Sequence, residues 1–226
     1  MSIPNGFQRI SLAAYSAMLE AQTLLPGRRL LHERQAERFA ALQGAGVQTL
    51  ADLWARLSTA PRQAALAQET GIPDDYLTAL RRELNAMTPK PVALDAFAAL
   101  DAFTAPRLRA LGIRTNLDAL AALQPPQGDA ARRIPDALGA TEADALQCLC
   151  TLATLNGVGA AAACALFAAG YRTPEQVAAA DADALLARMT QANAAHAYYA
   201  AALAQKDAQF VIDAAQRLLA LQNPAQ

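Results

Sequence analysis

Three short segments of the chain share one order of residue types, glycine, an apolar residue, any residue and then threonine, beginning at Gly46, Gly112 and Gly170. Glycine readily takes the left-handed conformation that ends many helices, and the apolar residue after it folds back onto the last helical turn. The threonine is a suitable N-cap for a following helix. Three residues after it, in the capping-box position, stand Asp52, Asp118 and Gln176. Each segment is therefore predicted to be a corner between two helices.

The composition agrees with a helical protein. Alanine, the residue with the highest helix propensity, is abundant, and aromatic residues make up only 5% of the 226 residues. Runs of β-branched and aromatic residues between turn residues, which are typical of strands, are almost absent. We therefore expect an all-α protein with a core of leucine and alanine.

The corners also suggest repeated units of short helices. A second element, Arg62–Ile72, follows the first corner and is echoed after the second corner by residues 133–141. Because repeats of this kind stack as similar structural units, each is expected to contribute one set of short helices. The predicted divisions are an N-terminal helix in 1–27, units over 28–87 and 94–154, a truncated third unit over 155–192 and a C-terminal helix in 193–226.

Residues 152–166 predict a helical hairpin. We expect one helix to end at Leu155, the Gly-Val-Gly turn at 157–159 to reverse the chain, and a second helix to start near Ala160. With the third corner, which ends the second helix, residues 152–173 resemble a helix-hairpin-helix motif, in which the turn has the form apolar-x-Gly-apolar-Gly. In that family the hairpin amides and the following helix N-terminus hold a nucleic-acid phosphate, as the positive end of a helix dipole allows.

A longer resemblance extends over about residues 38–190. There the alternation of hairpin and Arg62–Ile72 element is similar to a bacterial family of tandem helix-hairpin-helix-like repeats catalogued as a domain of unknown function. This resemblance implies an all-α fold of tandem helix-hairpin-helix-like (SAM-like) repeats with a longer C-terminal helix, and it implies no activity. The other two hairpin positions lack the glycine pair, and their acids Glu33 and Asp101 would repel a phosphate that faced them.

The hypothetical nucleic-acid site combines the hairpin with arginines from other segments. Affinity for a duplex rises with the number of phosphates neutralised, and a net charge of −1 provides no overall attraction. Clustered arginines, which suit bidentate phosphate contacts, would compensate. The predicted contact residues are Asn156, Gly157, Val158, Gly159, Ala160, Arg107, Arg109, Arg132, Arg133 and Arg172. The alternative is that these arginines pair with neighbouring acids on solvated helix faces.

No catalytic constellation is evident in the sequence. Gly157–Ala162 also fits a loose dinucleotide-binding fingerprint, but no strand precedes it. Cys148, Cys150 and Cys164 are interpreted as structural thiols in a reducing compartment, and Trp54 and Phe39 as core residues. No catalytic residue, metal site or cofactor is predicted.

Two functions follow from these patterns. The first is a non-enzymatic module that binds the backbone of DNA or another nucleic acid without reading sequence. The second is a helical scaffold that binds a protein partner and has no nucleic-acid role. Fold analogy and the hairpin glycines favour the first function, whereas the neutral charge and the alanines after the hairpin favour the second.

One stretch of the chain has the length of a membrane helix. Residues 145–171 carry no charge and are long enough to span a bilayer, but polar residues in their middle argue against a membrane helix. Without a secretory signal, a cytoplasmic protein is expected.

The last segment has an apolar face formed by Tyr199, Leu203, Phe210, Ala214 and Leu218. This face either packs on the repeats or pairs with a second copy to form a homodimer.

Overall fold

The computed structural model describes residues 7–22, 24, 26–123, 134 and 137–222, and every regular element within them is a helix. The predicted all-α class is therefore confirmed. The chain divides into two compact units, one formed by Met1–Thr88 with Ala220–Gln226 and the other by Pro89–Leu219.

The first unit is built from five α-helices and two short 3-10 turns in its described residues. The turns are Phe7–Arg9 and Pro26–His32, and the helices are α1 (Leu12–Glu20), α2 (Gln35–Gly44), α3 (Leu50–Leu57), α4 (Ala60–Thr70) and α5 (Asp74–Ala86). Its core is formed mainly by leucines, together with all five aromatic residues of the unit. Phe39 and Trp54 are both buried, which confirms their prediction as core residues. The ring of Trp54 packs edge-to-face on Phe7, with 5.8 Å between centroids.

The core of the second unit contains more small residues, alanine and cysteine, than that of the first. Its described elements are a 3-10 turn at Leu94–Ala96 and the helices α6 (Thr104–Ala110), α7 (Asn116–Leu123), α8 (Ala140–Leu152), α9 (Ala160–Ala168), α10 (Pro174–Ala178), α11 (Ala182–His196) and α12 (Gln205–Gln222). In α9 four consecutive residues from Ala163 to Leu166 are completely buried. Small residues let neighbouring helices approach closely at this point, so α9 lies at the centre of the unit.

The three predicted corners have the same geometry, and their prediction is confirmed. The glycines have φ values of +81° at Gly46, +81° at Gly112 and +94° at Gly170. In each corner the amide of the next residue donates to the carbonyl five residues earlier, at 3.0 Å. The threonine hydroxyl then accepts a hydrogen bond from the amide three residues later, at 3.1, 3.2 and 3.3 Å. These bonds satisfy backbone groups that helix ends otherwise leave unpaired.

A further feature is shared by the first two corners. Thr49 forms an isolated antiparallel bridge with Ser11, and Thr115 forms the same kind of bridge with Ala93. Each corner is thereby tied to the residue directly before a helical element, which is α1 in the first unit and the 3-10 turn Leu94–Ala96 in the second. The tandem order of three units remains a prediction, and part of the echo at 133–141 lies outside the described residues.

The C-terminal segment is divided where the sequence suggested one long helix. Helix α11 ends at His196, and α12 begins at Gln205. The Asn193 side chain binds the backbone of Tyr199 twice, donating to its carbonyl at 2.9 Å and accepting from its amide at 3.0 Å. Ala197 takes a left-handed conformation with φ +52°. The asparagine thus provides hydrogen bonds that compete with a continuing helix, which explains a break without glycine or proline.

Replacing Thr49 by alanine is expected to lower the free energy of unfolding by about 1 kcal/mol, the usual cost of losing an N-cap. Hydrogen bonds from the Thr49 hydroxyl and amide also lower the pKa of Asp52. A carboxyl whose pKa is lower in the folded state stabilises the fold at pH values above its unfolded pKa of about 4. This stabilisation is lost as the pH falls from that value through the folded pKa. The free energies of unfolding of Thr49→Ala and wild type, measured with urea, should therefore differ more at neutral pH than at about pH 3. Equal differences at both pH values would contradict this account.

Candidate functional site

The hairpin lies between α8 and α9. Helix α8 ends at Leu152, three residues before the predicted end, and a series of turns continues the chain. Helix α9 begins at Ala160, as predicted. Leu155 and Val158 are buried, and the amide of Val158 donates to the carbonyl of Leu155 at 3.0 Å. The two apolar positions of the apolar-x-Gly-apolar-Gly pattern thus anchor the turn in the core.

The remaining hairpin residues reach the surface. Gly157 and Gly159 are exposed, whereas Asn156 and Ala160 are half-buried. Gly159 is the N-cap of α9, where no side chain accepts a hydrogen bond from the first-turn amides. A Cβ atom at Gly159 would meet nothing within 4 Å. The positive end of the α9 dipole is therefore accessible beside an open position.

One side of the hairpin is covered by an aromatic ring. Gly157 has φ +80°, and a Cβ atom placed on it would lie 2.5 Å from Cε1 of Phe210 in α12. Phe210 is 38% exposed, so its ring lies partly on the surface, over this glycine. The sequence places Phe210 on an apolar helix face but carries no signal for this contact. At Gly157 the absence of a side chain therefore lets Phe210 pack against the turn, whereas at Gly159 it leaves open space.

The two arginines of α6 are both paired with acids. Arg109 binds Asp95, with 2.9 Å between Nη2 and Oδ2. Arg107 lies 3.5 Å from Oε2 of Glu142 and also donates to the carbonyl of Ala137 at 3.4 Å. Both arginines therefore pair with acids, which is the alternative that the sequence left open.

Arg172 folds back on its own corner. Its guanidinium carbon lies 3.9 Å from the centre of the Phe167 ring, and Nη1 donates to the carbonyl of Phe167. In the described part of the chain, no hydrogen bond or ion pair joins Arg107, Arg109 or Arg172 to residues 156–160. The other two predicted arginines, Arg132 and Arg133, lie outside the described residues.

Comparison with protein families identifies the domain that contains the hairpin. A family model described as "Domain of unknown function (DUF4332)" matches residues 99–218. The chain belongs to this family. No curated protein and no solved structure matches the chain. The predicted resemblance to a domain of unknown function is confirmed at this level, and α6 to α11 lie entirely within the DUF4332 region.

The DUF4332 region contains all three cysteines of the chain. Cys150 and Cys164 are buried and Cys148 is half-buried. Burial raises the pKa of all three thiols, and that of Cys150 to about 12. The thiols are therefore protonated at neutral pH and are poor nucleophiles. Within the described residues, no three His, Cys, Asp or Glu side chains form a group that could hold a metal ion.

The charge-free stretch 145–171 of the DUF4332 region is divided between two helices and a turn. Helix α8 has 13 residues and α9 has 9. A helix needs about 20 apolar residues to span a bilayer. In the part of the chain that the structure describes, no helix has the length and apolar character to cross a membrane.

Proposed function

We propose that the chain is a non-enzymatic helical scaffold that binds a protein partner. The observation that carries this proposal is the contrast at the start of α6, where Phe103 is 68% exposed while Arg107 and Arg109 are paired with acids. Ala102 and Pro106 beside it are exposed as well. Aromatic side chains are enriched among the residues that contribute most to protein interfaces, because they bury a large apolar area with little loss of rotamer freedom.

The paired arginines weaken the case for nucleic acid. An exposed ion pair is worth only about 0–1 kcal/mol, so a phosphate could displace one partner at little cost. The displaced acid would nevertheless stay close and repel the phosphate. Affinity for a nucleic-acid backbone depends on the number of phosphates that cations neutralise. Binding would then rest mainly on the amides of the hairpin.

Binding of a nucleic-acid backbone through the hairpin is the second candidate function. The observation in its favour is the free N-terminus of α9, with no side-chain cap and with open space at Gly159. The resemblance of residues 152–173 to a helix-hairpin-helix motif supports the same candidate. A phosphate at this position would accept hydrogen bonds from the first-turn amides.

A fluorescence anisotropy titration separates the two candidates. We expect a labelled duplex and a labelled single strand to show no saturable binding at low salt, where the electrostatic attraction is strongest. The matched variant is Gly159→Asp, which the open space accommodates and which places a negative charge at the helix N-terminus. Saturable binding that weakens with salt and is lost in Gly159→Asp would contradict the scaffold and establish the second function.

The scaffold has a direct test at Phe103. Partners captured by the wild-type chain are compared with those captured by Phe103→Ser, with Ala102→Ser at the neighbouring exposed position as the control. A partner is then purified, and its Kd is measured for each variant. We expect Phe103→Ser to weaken binding by at least about tenfold, as for an interface hot spot, and Ala102→Ser to have little effect. If no partner depends on Phe103, this assignment is wrong.

A further inference from the structure

A small cavity of about 250 Å³ lies in the first unit, outside the DUF4332 region. Its lining residues are Trp54, Leu57, Ser58, Arg81 and Asn85. The first two belong to the C-terminal half of α3, Ser58 follows that helix, and the last two belong to the C-terminal half of α5. The lining thus combines an apolar wall with a guanidinium and an amide, and it contains no acid.

Trp54 contributes a hydrogen-bond donor that has no acceptor. The residue is only 4% exposed, and its Nε1 atom has no hydrogen-bond partner among the described residues. The indole N–H only donates, so only an acceptor can satisfy it. Buried polar groups are nearly always paired, so this donor is an exception, and it belongs to a residue that also lines the cavity.

Arg81 and Asn85 contribute the polar side of the cavity. They are one helical turn apart on α5, so their side chains lie on the same face. Both are half-buried, and neither side chain makes a hydrogen bond or ion pair with another described residue. A guanidinium that is partly removed from water and has no counter-charge attracts an anion more strongly than a fully solvated one.

Ser58 is already engaged, but its contacts bring a second cation near. Its hydroxyl donates to the carbonyl of Ala55 at 2.8 Å and accepts from Nη1 of Arg62 at 3.1 Å. Arg62 therefore adds positive charge beside the cavity, on the side of Ser58. The electrostatic environment of the site is that of two arginines, with no acid among the lining residues.

We propose that this cavity binds a carboxylate carried on a short apolar stem. A planar carboxylate has acceptors only and matches the guanidinium fork of Arg81. Asn85 offers a further donor, and the Trp54 side chain and Leu57 provide the apolar wall for the stem. The volume is smaller than the roughly 300–1,000 Å³ of sites for drug-sized ligands. The ligand is therefore a small organic acid or a single glutamate side chain of a bound peptide.

The protein carries its own reporter for this site. Trp54 is the only tryptophan in the chain, so the ¹⁵N-labelled full-length protein has one indole N–H resonance in a ¹H–¹⁵N correlation spectrum. Sodium butyrate is titrated into the protein, with sodium chloride at equal ionic strength as the reference. We expect butyrate to shift the indole resonance saturably, because the ligand binds against the Trp54 side chain, and chloride to leave it in place.

Variants of adjacent arginines provide the matched comparison. Arg81→Gln removes the guanidinium from the cavity, whereas Arg82→Gln removes the same charge from an exposed position outside the lining. We expect Arg81→Gln to weaken butyrate binding at least tenfold and Arg82→Gln to leave it unchanged. An indole resonance that does not respond to butyrate, or that responds equally in both variants or to chloride, would overturn the proposal.

Two further probes identify the class and source of the ligand. Inorganic phosphate has no apolar stem, and tighter binding of phosphate than of butyrate would overturn the assignment to carboxylates. N-acetyl-glutamate N-methylamide presents a glutamate side chain as a peptide does. Binding of this probe at least as tightly as butyrate supports a peptide-borne carboxylate, and preferential binding of butyrate supports a free organic acid.

Discussion

Replacing Arg28 by methionine is expected to lower the free energy of unfolding by about 3 kcal/mol, the scale on which buried ion pairs respond to the loss of one partner. Arg28 donates from Nη1 to Oε2 of Glu83, whose side chain is only 2% exposed, whereas that of Arg28 is 25% exposed. The variant removes this cation from a buried carboxylate, so part of the compensation for the desolvation of Glu83 is lost. Urea unfolding followed by circular dichroism measures the loss.

Two variants make this expectation specific. Arg29→Met changes the neighbouring exposed arginine and should alter stability by no more than about 0.5 kcal/mol. The double variant Arg28→Met with Glu83→Leu removes both charges and should recover most of the loss, because an apolar pair can replace a buried ion pair at little cost. A cost for Arg28→Met that is no larger than for Arg29→Met would show that Glu83 does not depend on this cation.

The elements that the sequence predicted correctly are those set by contacts within a few residues. A corner needs a glycine with positive φ, an apolar residue that folds back and a threonine cap, and all of these bonds join residues at most five positions apart. Gly46, Gly112 and Gly170 could therefore be recognised in the sequence. The start of α9 at Ala160 was also predicted from a local pattern, the glycine turn before it, although no side chain caps this helix.

The contacts that could not be predicted join distant segments. Acids suitable for pairing with Arg107 and Arg109 occur throughout the sequence, and only the packing of the second unit selects Glu142 and Asp95. The break after His196 depends on one asparagine side chain reaching the backbone of Tyr199. Helix propensity cannot predict such a contact, because it is an average property of each residue type.

Only part of the candidate site at the hairpin could be predicted from the sequence, for the same reason. The hairpin turn is local, and its glycines and buried apolar residues occur where the pattern places them. Its surroundings are not local. Phe210 reaches the hairpin from α12, and the acids that neutralise α6 come from two other segments. A motif in the sequence therefore predicted the backbone of the hairpin and not the charge around it.

Replacing Gly157 by alanine is expected to lower the free energy of unfolding by about 3 kcal/mol. The left-handed conformation at φ +80° costs an alanine about 1–2 kcal/mol. The new Cβ would also lie 2.5 Å from Cε1 of Phe210, so the ring must move, and such overpacking adds about 1–3 kcal/mol. Urea unfolding of Gly157→Ala against wild type measures the sum.

Gly170→Ala separates the two contributions. Gly170 also has a positive φ, +94°, but a Cβ atom there would meet nothing within 4 Å. Its replacement should therefore cost only the backbone strain of about 1–2 kcal/mol. In a Phe210→Ala background the clash at Gly157 is absent, and Gly157→Ala should then cost about as much as Gly170→Ala. If the cost of Gly157→Ala were the same with and without Phe210, the ring would not cover the hairpin. Both faces of the turn would then be open, which would strengthen the nucleic-acid candidate relative to the scaffold.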